Sequence, residues 1–526
     1  MNLVRRFTGA APLCRWGERP REPDSKRTNS IGAARQETRP TLRFSSRLAP
    51  RGVHSYSKVV PLQQMGSITN PIMAELDLLI CGGTVVTPDG ERPADLGIAR
   101  GQIVAIEAEL HGGALQTVDA TGLHIFPGLI DSHVHFNEPG RADWEGIKTG
   151  SQALAAGGGT TFFDMPLNAH PPTLDSASFD EKLGLAAEKA YTDFALWGGL
   201  VPGNVHCLEQ LAERGVIGFK AFMSNSGIED FSSVDEATLR DGMKRAAKLG
   251  KLVAVHAESE VITSELSKRA QAKNQTAIRD YLDSRPIYAE LDAIHKAIQL
   301  AGETKCALHI VHVSSGAGVA LVASAQKQGV DVTCETCPHY LVLTEEDVEK
   351  LGAVAKCAPP LRTKSAQDVL WRYVENGYVS TIGSDHSPSP PEMKRDKNFF
   401  KVWGGISGVQ HTLPLLIAEC GVRIAECENT LSLIARLTSF NVAERFSLPK
   451  TKGRIAVGAD ADLALVDLKA QFTVRAEDLL YRHQQSPYVG RALTGRVVRT
   501  ILRGTTVFQD GKIVSQPTGQ LVKPNP

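Results

Sequence analysis

The sequence lacks an excess of either charge, long apolar runs and an abundance of aromatic residues. Lysine plus arginine equals aspartate plus glutamate at 58 each, so no overall field favours nucleic acid or anionic lipid as a partner. No apolar run approaches the roughly 18 residues that a membrane-spanning helix requires. Of the 526 residues 42% are hydrophobic and 6% aromatic, an ordinary globular composition. We therefore expect neither a nucleic-acid partner nor a membrane partner.

Residues 1–73 differ from the rest of the chain. They hold 13 basic and 4 acidic residues with many serines and prolines, a composition that also occurs in organellar presequences. The prolines and the four acids interrupt any amphipathic helix, so we interpret this segment as a disordered basic extension. The nine cysteines are odd in number and scattered, which indicates reduced thiols. We expect a cytoplasmic protein, with an organellar presequence as the alternative.

Short strand-like runs lie near both ends of the remaining chain. The first runs are separated by turn signals such as Gly82-Gly83 and Pro88-Asp89-Gly90. Strands at both ends of a long middle segment predict one small β-sandwich assembled from residues 74–126 and 451–515. Residues 516–526 then form a C-terminal tail.

The middle segment, residues 127–450, alternates apolar strand-like runs with helical patterns. Eight such units predict an α/β fold, a (β/α)8 TIM barrel, in which chemistry takes place at the carboxyl ends of the strands. The predicted strands are Phe126–His133, Thr160–Met165, Phe194–Gly198, Gly218–Met223, Leu252–His256, Leu308–His312, Val330–Glu335 and Val379–Asp385. The clearest predicted helices are Val234–Leu249, Ala289–Ala301 and Val319–Gln328.

Candidate metal ligands follow several of these strands. His133 and His135 are two residues apart on an extended segment, so both imidazoles point to one side. His256 and His312 each end a nearly continuous apolar run, and Asp385 ends the eighth strand. Four histidines and one aspartate exceed the ligands of a single catalytic Zn²⁺ and suit two ions that share a bridge.

Lys220 ends the fourth predicted strand and allows two interpretations. A buried lysine has a lowered pKa, and its neutral amine can react with CO₂ to give an anionic carbamate that bridges two metal ions. The alternative is a structural salt bridge from Lys220 to Asp385 or Asp164. The four nearby histidines favour the carbamate.

These residues, in this order, resemble the cyclic-amide branch of the amidohydrolase superfamily, which contains allantoinases, hydantoinases or dihydropyrimidinases, and dihydroorotases. The resemblance covers residues 74–515 and implies that His133 and His135 bind one metal ion with Asp385, that His256 and His312 bind the other, and that carboxylated Lys220 bridges both. The motifs that carry it are Pro127-Gly-Leu-Ile-Asp-Ser-His-Val-His135, Gly158-Gly-Thr-Thr161, Glu335-Thr-Cys-Pro-His-Tyr340 and Gly383-Ser-Asp-His386.

Within that branch the chain is most similar to allantoinases. Dihydroorotase-like sequences carry an arginine two residues after the second histidine, where this chain has Asn137. Asn137 and Asn168 offer donors and acceptors suited to a neutral ureido-hydantoin, and Ser387 is a further candidate substrate contact.

The resemblance implies ring opening of allantoin to allantoate, with Asp385 as the catalytic proton acceptor. It also implies two divalent metal ions, Zn²⁺ or alternatively Mn²⁺ or Co²⁺, and a homotetramer. A hydantoinase or dihydropyrimidinase of the same fold is the alternative function. A non-catalytic structural homologue is the third hypothesis, and the complete ligand set argues against it.

Overall fold

The computed structural model describes residues 76–423 and 429–525, so the predicted basic extension over 1–73 lies outside the described residues. The described chain begins with seven strands of a β-sandwich. They are β1 Leu76–Cys81, β2 Thr84–Thr87, β3 Gly90–Pro93, β4 Asp95–Ala99, β5 Gln102–Glu107, β6 Ala114–Asp119 and β7 His124–Pro127.

The strands of the barrel follow in the chain and confirm the predicted fold. They are β8 Leu129–Val134, β9 Gly159–Asp164, β10 Asp193–Leu196, β11 Gly198–Gly199, β12 Phe219–Phe222, β13 Val253–His256, β14 Leu308–Ile310, β15 Val332–Thr336 and β16 Thr381–Ile382. Strands β10 and β11 are one barrel strand interrupted at Trp197. All neighbouring pairs are parallel, and residues of β13 such as Val253 and Val255 are wholly buried. Such continuous burial is typical of parallel strands covered by helices.

The barrel closes through residues just beyond its first and last strands. Val134 forms a parallel bridge with His386, and the backbone N–H of His135 donates to the carbonyl of His386 at 2.8 Å. This closure brings the segment that contains Asp385 beside the segment that contains His133 and His135. The two ends of the barrel sequence therefore meet at its carboxyl face.

The helices alternate with the barrel strands and lie outside them. They are α1 Ile147–Ala156, α2 Ser176–Lys189, α3 Leu208–Arg214, α4 Glu236–Lys248, α5 Glu260–Ala272, α6 Ile278–Asp283, α7 Ile287–Thr304, α8 Gly316–Lys327, α9 Pro338–Val342, α10 Glu345–Leu351, α11 Lys364–Glu375, α12 Thr412–Arg423, α13 Thr430–Ala435 and α14 Asn441–Arg445. Asp175 and Asp235 cap α2 and α4 by accepting backbone N–H groups of their first turns. None of the helices in the described part of the chain is long and apolar enough to cross a membrane.

Four more strands after the barrel complete the sandwich: β17 Leu463–Thr473, β18 Ala492–Leu502, β19 Thr505–Gln509 and β20 Lys512–Ile513. One sheet has the order β5-β4-β1-β6, and the other has the order β20-β19-β18-β17-β7-β2-β3. The second sheet thus combines strands from both ends of the described chain. Buried residues of the two ends, including Ile80, Ile125, Leu463 and Ile501, form one hydrophobic cluster.

The first barrel strand is shorter than the sequence pattern predicts. The apolar run from Phe126 to His133 is divided at Gly128, with β7 in the sandwich and β8 in the barrel. A Cβ atom on Gly128 would lie 2.2 Å from Oγ1 of Thr160, so only glycine fits this close approach. An uninterrupted apolar run does not show where the chain passes from one sheet to the next.

The C-terminal segment packs along the edge of the third barrel strand. The N–H of Phe194 donates to the carbonyl of Gln520 at 3.0 Å, and the N–H of Val522 donates to the carbonyl of Phe194 at 2.7 Å. Leu521 consequently forms a parallel bridge with Phe194. The segment predicted as a tail contributes backbone hydrogen bonds to the barrel.

Candidate metal centre and active site

The structure brings the predicted ligands together at the carboxyl ends of the barrel strands. His133 and His135 come from β8 and the residues after it, Lys220 from β12, His256 from β13, His312 from the turn after β14, and Asp385 from the segment after β16. Apart from Lys220, these residues line a cavity of about 560 Å³. Lys220 is wholly buried beneath it.

The first group of ligands consists of His133, His135 and Asp385. Oδ1 of Asp385 lies 3.3 Å from Nε2 of His133 and 3.5 Å from Nε2 of His135. One ligand atom from each residue lies within 4.8 Å of the other two. Burial alone would raise the pKa of Asp385, but His133 and His135 lower it to about 2. An ionised carboxylate facing two imidazole nitrogens is a suitable donor set for a divalent cation.

The second group consists of His256 and His312. Nδ1 of His256 lies 3.0 Å from Nε2 of His312, so two ring nitrogens face each other. The other nitrogen of His256 lies 2.8 Å from Oε2 of Glu258 and donates its proton there, which leaves Nδ1 as an acceptor. Burial lowers the pKa of both histidines, well below the ordinary value for His312. Two neutral imidazoles directed at one point fit a shared metal ion.

Lys220 is an unpaired amine beside these two groups. Its Nζ atom is buried and has no hydrogen-bond partner among the described residues. Burial lowers its pKa to about 7, although Asp385 and Glu335 act in the opposite direction. The alternative salt bridge to Asp164 does not form, because Asp164 pairs with Lys182 at 2.6 Å. A buried amine without a partner is chemically suited to carbamate formation, and it fits the predicted bridging group.

Two glutamates for which the sequence predicts no role support these ligands. Oε1 of Glu335 lies 2.9 Å from Nδ1 of His133, and its Oε2 accepts a hydrogen bond from Oγ of Ser132 at 2.6 Å. Glu258 forms the corresponding contact with His256 and also pairs with Arg285. Each glutamate had one weak signal of its role in the sequence. Glu258 follows the candidate ligand His256 by two residues, and Glu335 begins one of the motifs that carry the family resemblance.

The three predicted substrate contacts occupy different positions. Asn168 and Ser387 line the cavity, and the amide of Asn168 lies 3.3 Å from Nδ1 of His135. Asn137 is buried and is not among the residues that line the cavity. Neither polar atom of its side chain has a hydrogen-bond partner in the described chain. Asn168 and Ser387 are therefore the better placed of the three to contact a substrate.

Several residues of the site have backbone conformations that side-chain-bearing residues seldom adopt. The φ angle is +66° at Asn137, +69° at Asn168, +40° at His312 and +46° at Asp385. Positive φ values cost free energy in residues other than glycine and concentrate at functional sites. All four residues follow barrel strands, so each of these strands ends in a turn with a left-handed residue at the carboxyl face of the barrel.

Comparisons with known proteins identify the family of this chain. A profile described as the amidohydrolase family matches residues 124–507. An allantoinase of Rubrobacter xylanophilus is 56% identical over 86% of this chain and 98% of the relative, and an allantoinase of Deinococcus radiodurans is 52% identical over 85% and 99%.

Solved structures of the same branch superpose on the described fold. L-hydantoinase (dihydropyrimidinase) from Arthrobacter aurescens has a TM-score of 0.82 and 34% identity, covering 85% of this chain and 100% of the hydantoinase. Dihydropyrimidinase from Brevibacillus agri has a TM-score of 0.79 and 33% identity over 85% and 98%. The chain belongs to the amidohydrolase family, within its branch of metal-dependent cyclic amidohydrolases.

Proposed function

We propose that this protein hydrolyses the hydantoin ring of allantoin to allantoate. A water molecule adds to a ring carbonyl and the carbon–nitrogen bond of that amide breaks. The ring nitrogen gains a proton, and the single product carries a carboxylate and a terminal ureido NH₂ group. The observation that supports this substrate is the 56% identity with an allantoinase over 98% of its length, compared with 34% for the L-hydantoinase.

The described residues suit two divalent metal ions. His133, His135 and Asp385 would hold one ion and His256 and His312 the other, and a carboxylated Lys220 would serve both. When bound, such ions lower the pKa of a water molecule and polarise a carbonyl group. Zn²⁺ is the proposed metal, and Mn²⁺ and Co²⁺ suit the same imidazole and carboxylate ligands.

Residues of the chain carry out proton transfer and substrate binding. The Asp385 carboxylate, which is ionised at neutral pH, accepts the proton of the attacking water and returns it to the departing ring nitrogen. The side chains of Asn168 and Ser387 face the cavity and can hydrogen-bond to the ring amides or the ureido group. Both groups are neutral, as allantoin is.

A substrate panel tests the assignment. The purified protein, with its metal content measured, is assayed with allantoin, hydantoin, dihydrouracil and dihydroorotate. We expect kcat/KM to be highest for allantoin. A preference for hydantoin or dihydrouracil would favour the hydantoinase alternative, whose support is the fold similarity to L-hydantoinase. Failure to bind metal and to turn over any of the four would favour a structural homologue.

The family resemblance further supports a homotetramer. Light scattering of the purified protein measures the molar mass and tests this proposal. The cytoplasmic location stays a prediction from the sequence, and cell fractionation would check it.

A further inference from the structure

Residues 399–405 form one wall of the cavity without regular secondary structure. They lie between the carboxyl end of the eighth barrel strand and α12, and all but Phe399 line the cavity. Because no helix or strand pairs the backbone of this segment, its carbonyl groups need other hydrogen-bond donors. We call residues 399–405 the wall segment.

The ammonium group of Lys356 donates hydrogen bonds to some of these carbonyls. Its Nζ atom donates to the carbonyls of Phe399 at 2.6 Å and Val402 at 2.5 Å. The same Nζ atom lies 4.3 Å from the ring centroid of Tyr281, which favours a cation at this position. The backbone of Lys356 also takes part, since its carbonyl accepts the N–H of Gly405 at 2.7 Å.

A second lysine holds the far end of the wall segment. Nζ of Lys394 donates to the carbonyls of Gly405 at 2.7 Å and Trp403 at 2.9 Å, and to that of Ala353 at 3.3 Å. Nζ of Lys356 also donates to the carbonyl of Phe400 at 3.5 Å, so the two lysines together bind five of the seven carbonyls of the segment.

These contacts are unusual because neither lysine has an acidic partner. Within residues 76–423 and 429–525, no carboxylate lies in ion-pair contact with Lys356 or Lys394. Burial lowers the pKa of each to about 7. Withdrawing an ammonium group from water costs free energy unless its donors are satisfied, and here backbone carbonyls satisfy them. The arrangement stabilises one conformation of the wall segment.

The wall segment packs against the residues that follow Asp385 at the carboxyl face of the barrel. A Cβ atom on Gly405 would lie 2.1 Å from the carbonyl oxygen of Ser387, and the N–H of Ser387 donates to the carbonyl of Ile406 at 2.9 Å. Ser387 is two residues from Asp385. Gly404, between the tethered residues Trp403 and Gly405, lines the cavity, and its N–H and carbonyl make no hydrogen bond to another described residue.

We propose that Lys356 and Lys394 are positioning residues that hold the wall segment in one conformation over the cavity, so that loss of either lysine weakens substrate binding more than it slows the chemical step. This inference rests on the proposed function for the identity of the substrate, whereas the tethering itself does not depend on it.

The first experiment measures the tethering without substrate. Amide hydrogen exchange over the wall segment is compared in the wild type, Lys356→Met, Lys394→Met and the control Lys397→Met, which changes an exposed lysine nearby. We expect exchange of the wall segment to rise by about tenfold or more in the first two variants and to stay unchanged in the control. Lys356→Arg, which keeps the charge and donors, should restore part of the protection. Wild-type exchange in both methionine variants would overturn the proposal.

The second experiment measures the consequence for catalysis. With allantoin, Lys356→Met and Lys394→Met should raise KM by about tenfold, with kcat changed far less, because binding contacts common to ground and transition states are lost. Bound metal should match the wild type. A fall in kcat together with metal loss would show a general structural role and would contradict the proposal. If the wild type leaves allantoin unchanged, the proposed function fails, and the exchange experiment still decides the role of the lysines.

Discussion

Nδ1 of His133 lies 2.9 Å from Oε1 of Glu335, although 202 residues separate the two in the chain. Glu335 is wholly buried, and the same side chain approaches the backbone N–H of His312 at 3.4 Å. It therefore contacts one candidate ligand from each of the two groups. By accepting the proton on Nδ1 it leaves Nε2 of His133 free to face Asp385. Gly383 permits this position, because a Cβ there would lie 2.6 Å from Oε2 of Glu335.

Glu335→Gln should weaken metal binding by about 10- to 100-fold, the range found when a partner of a ligating histidine is removed. The amide keeps the shape of the side chain but loses the charge that orients His133. Competition with a chelator measures the affinity. Glu290→Gln is the matched control, since Glu290 is equally buried and its described hydrogen bonds are to Ser314 and Ser315. Equal metal affinity in the two variants would refute the role of Glu335.

Asp385→Asn should retain most of the metal and lose turnover by roughly two to four orders of magnitude, the usual contribution of a general base. The amide still offers an oxygen ligand, but it cannot accept a proton. Single-turnover rates and metal analysis of the same preparation check this expectation. Near-normal turnover would mean that the proton goes to another group.

Lys220→Ala should lose much of its bound metal, because the anionic bridge between two dications is gone. Adding a small carboxylic acid such as propionate should restore part of the turnover by occupying the vacated position. Lys220→Arg is the control: guanidinium stays protonated and forms no carbamate, so we expect neither activity nor rescue. Full metal content and an unchanged rate in Lys220→Ala would exclude the bridging role.

The pH dependence of stability should include a contribution from His411, which lies outside the metal centre. Burial lowers the pKa of this histidine to about 4, with Asp478 acting weakly in the opposite direction. Because the folded pKa lies below the ordinary value of about 6.5, the unfolded chain binds the proton first as the pH falls. His411 thus favours folding above pH 6.5, and that stability is lost toward pH 4 by up to about 1.4 kcal/mol per pH unit.

Chemical denaturation of His411→Gln at pH 7 and pH 5 measures this contribution. We expect the variant to lose less stability than the wild type between these two pH values. His295→Gln, at an exposed position on α7, is the control and should behave like the wild type. The same pH dependence in all three proteins would show that His411 does not titrate as described.

The sequence by itself determined the barrel, the sandwich built from both chain ends and the set of candidate ligands. This was possible because each feature repeats a local pattern. A buried parallel strand appears as an apolar run, and a residue at its end, such as His256 or Asp385, lies at the same face of the barrel as the ends of all the others. The histidine pair at 133 and 135 likewise needs only the alternation of side chains along an extended segment.

Tertiary structure alone decided the contacts that join distant parts of the chain. The pairing of Glu335 with His133 and the binding of the wall segment by Lys356 and Lys394 leave no periodic trace in the sequence. The division of one apolar run at Gly128 depends on the approach of Thr160, and the place of Asn137 behind the cavity depends on a positive φ. Hydrogen bonds and close packing depend on positions in space, and residues far apart in the chain reach those positions only when the barrel closes.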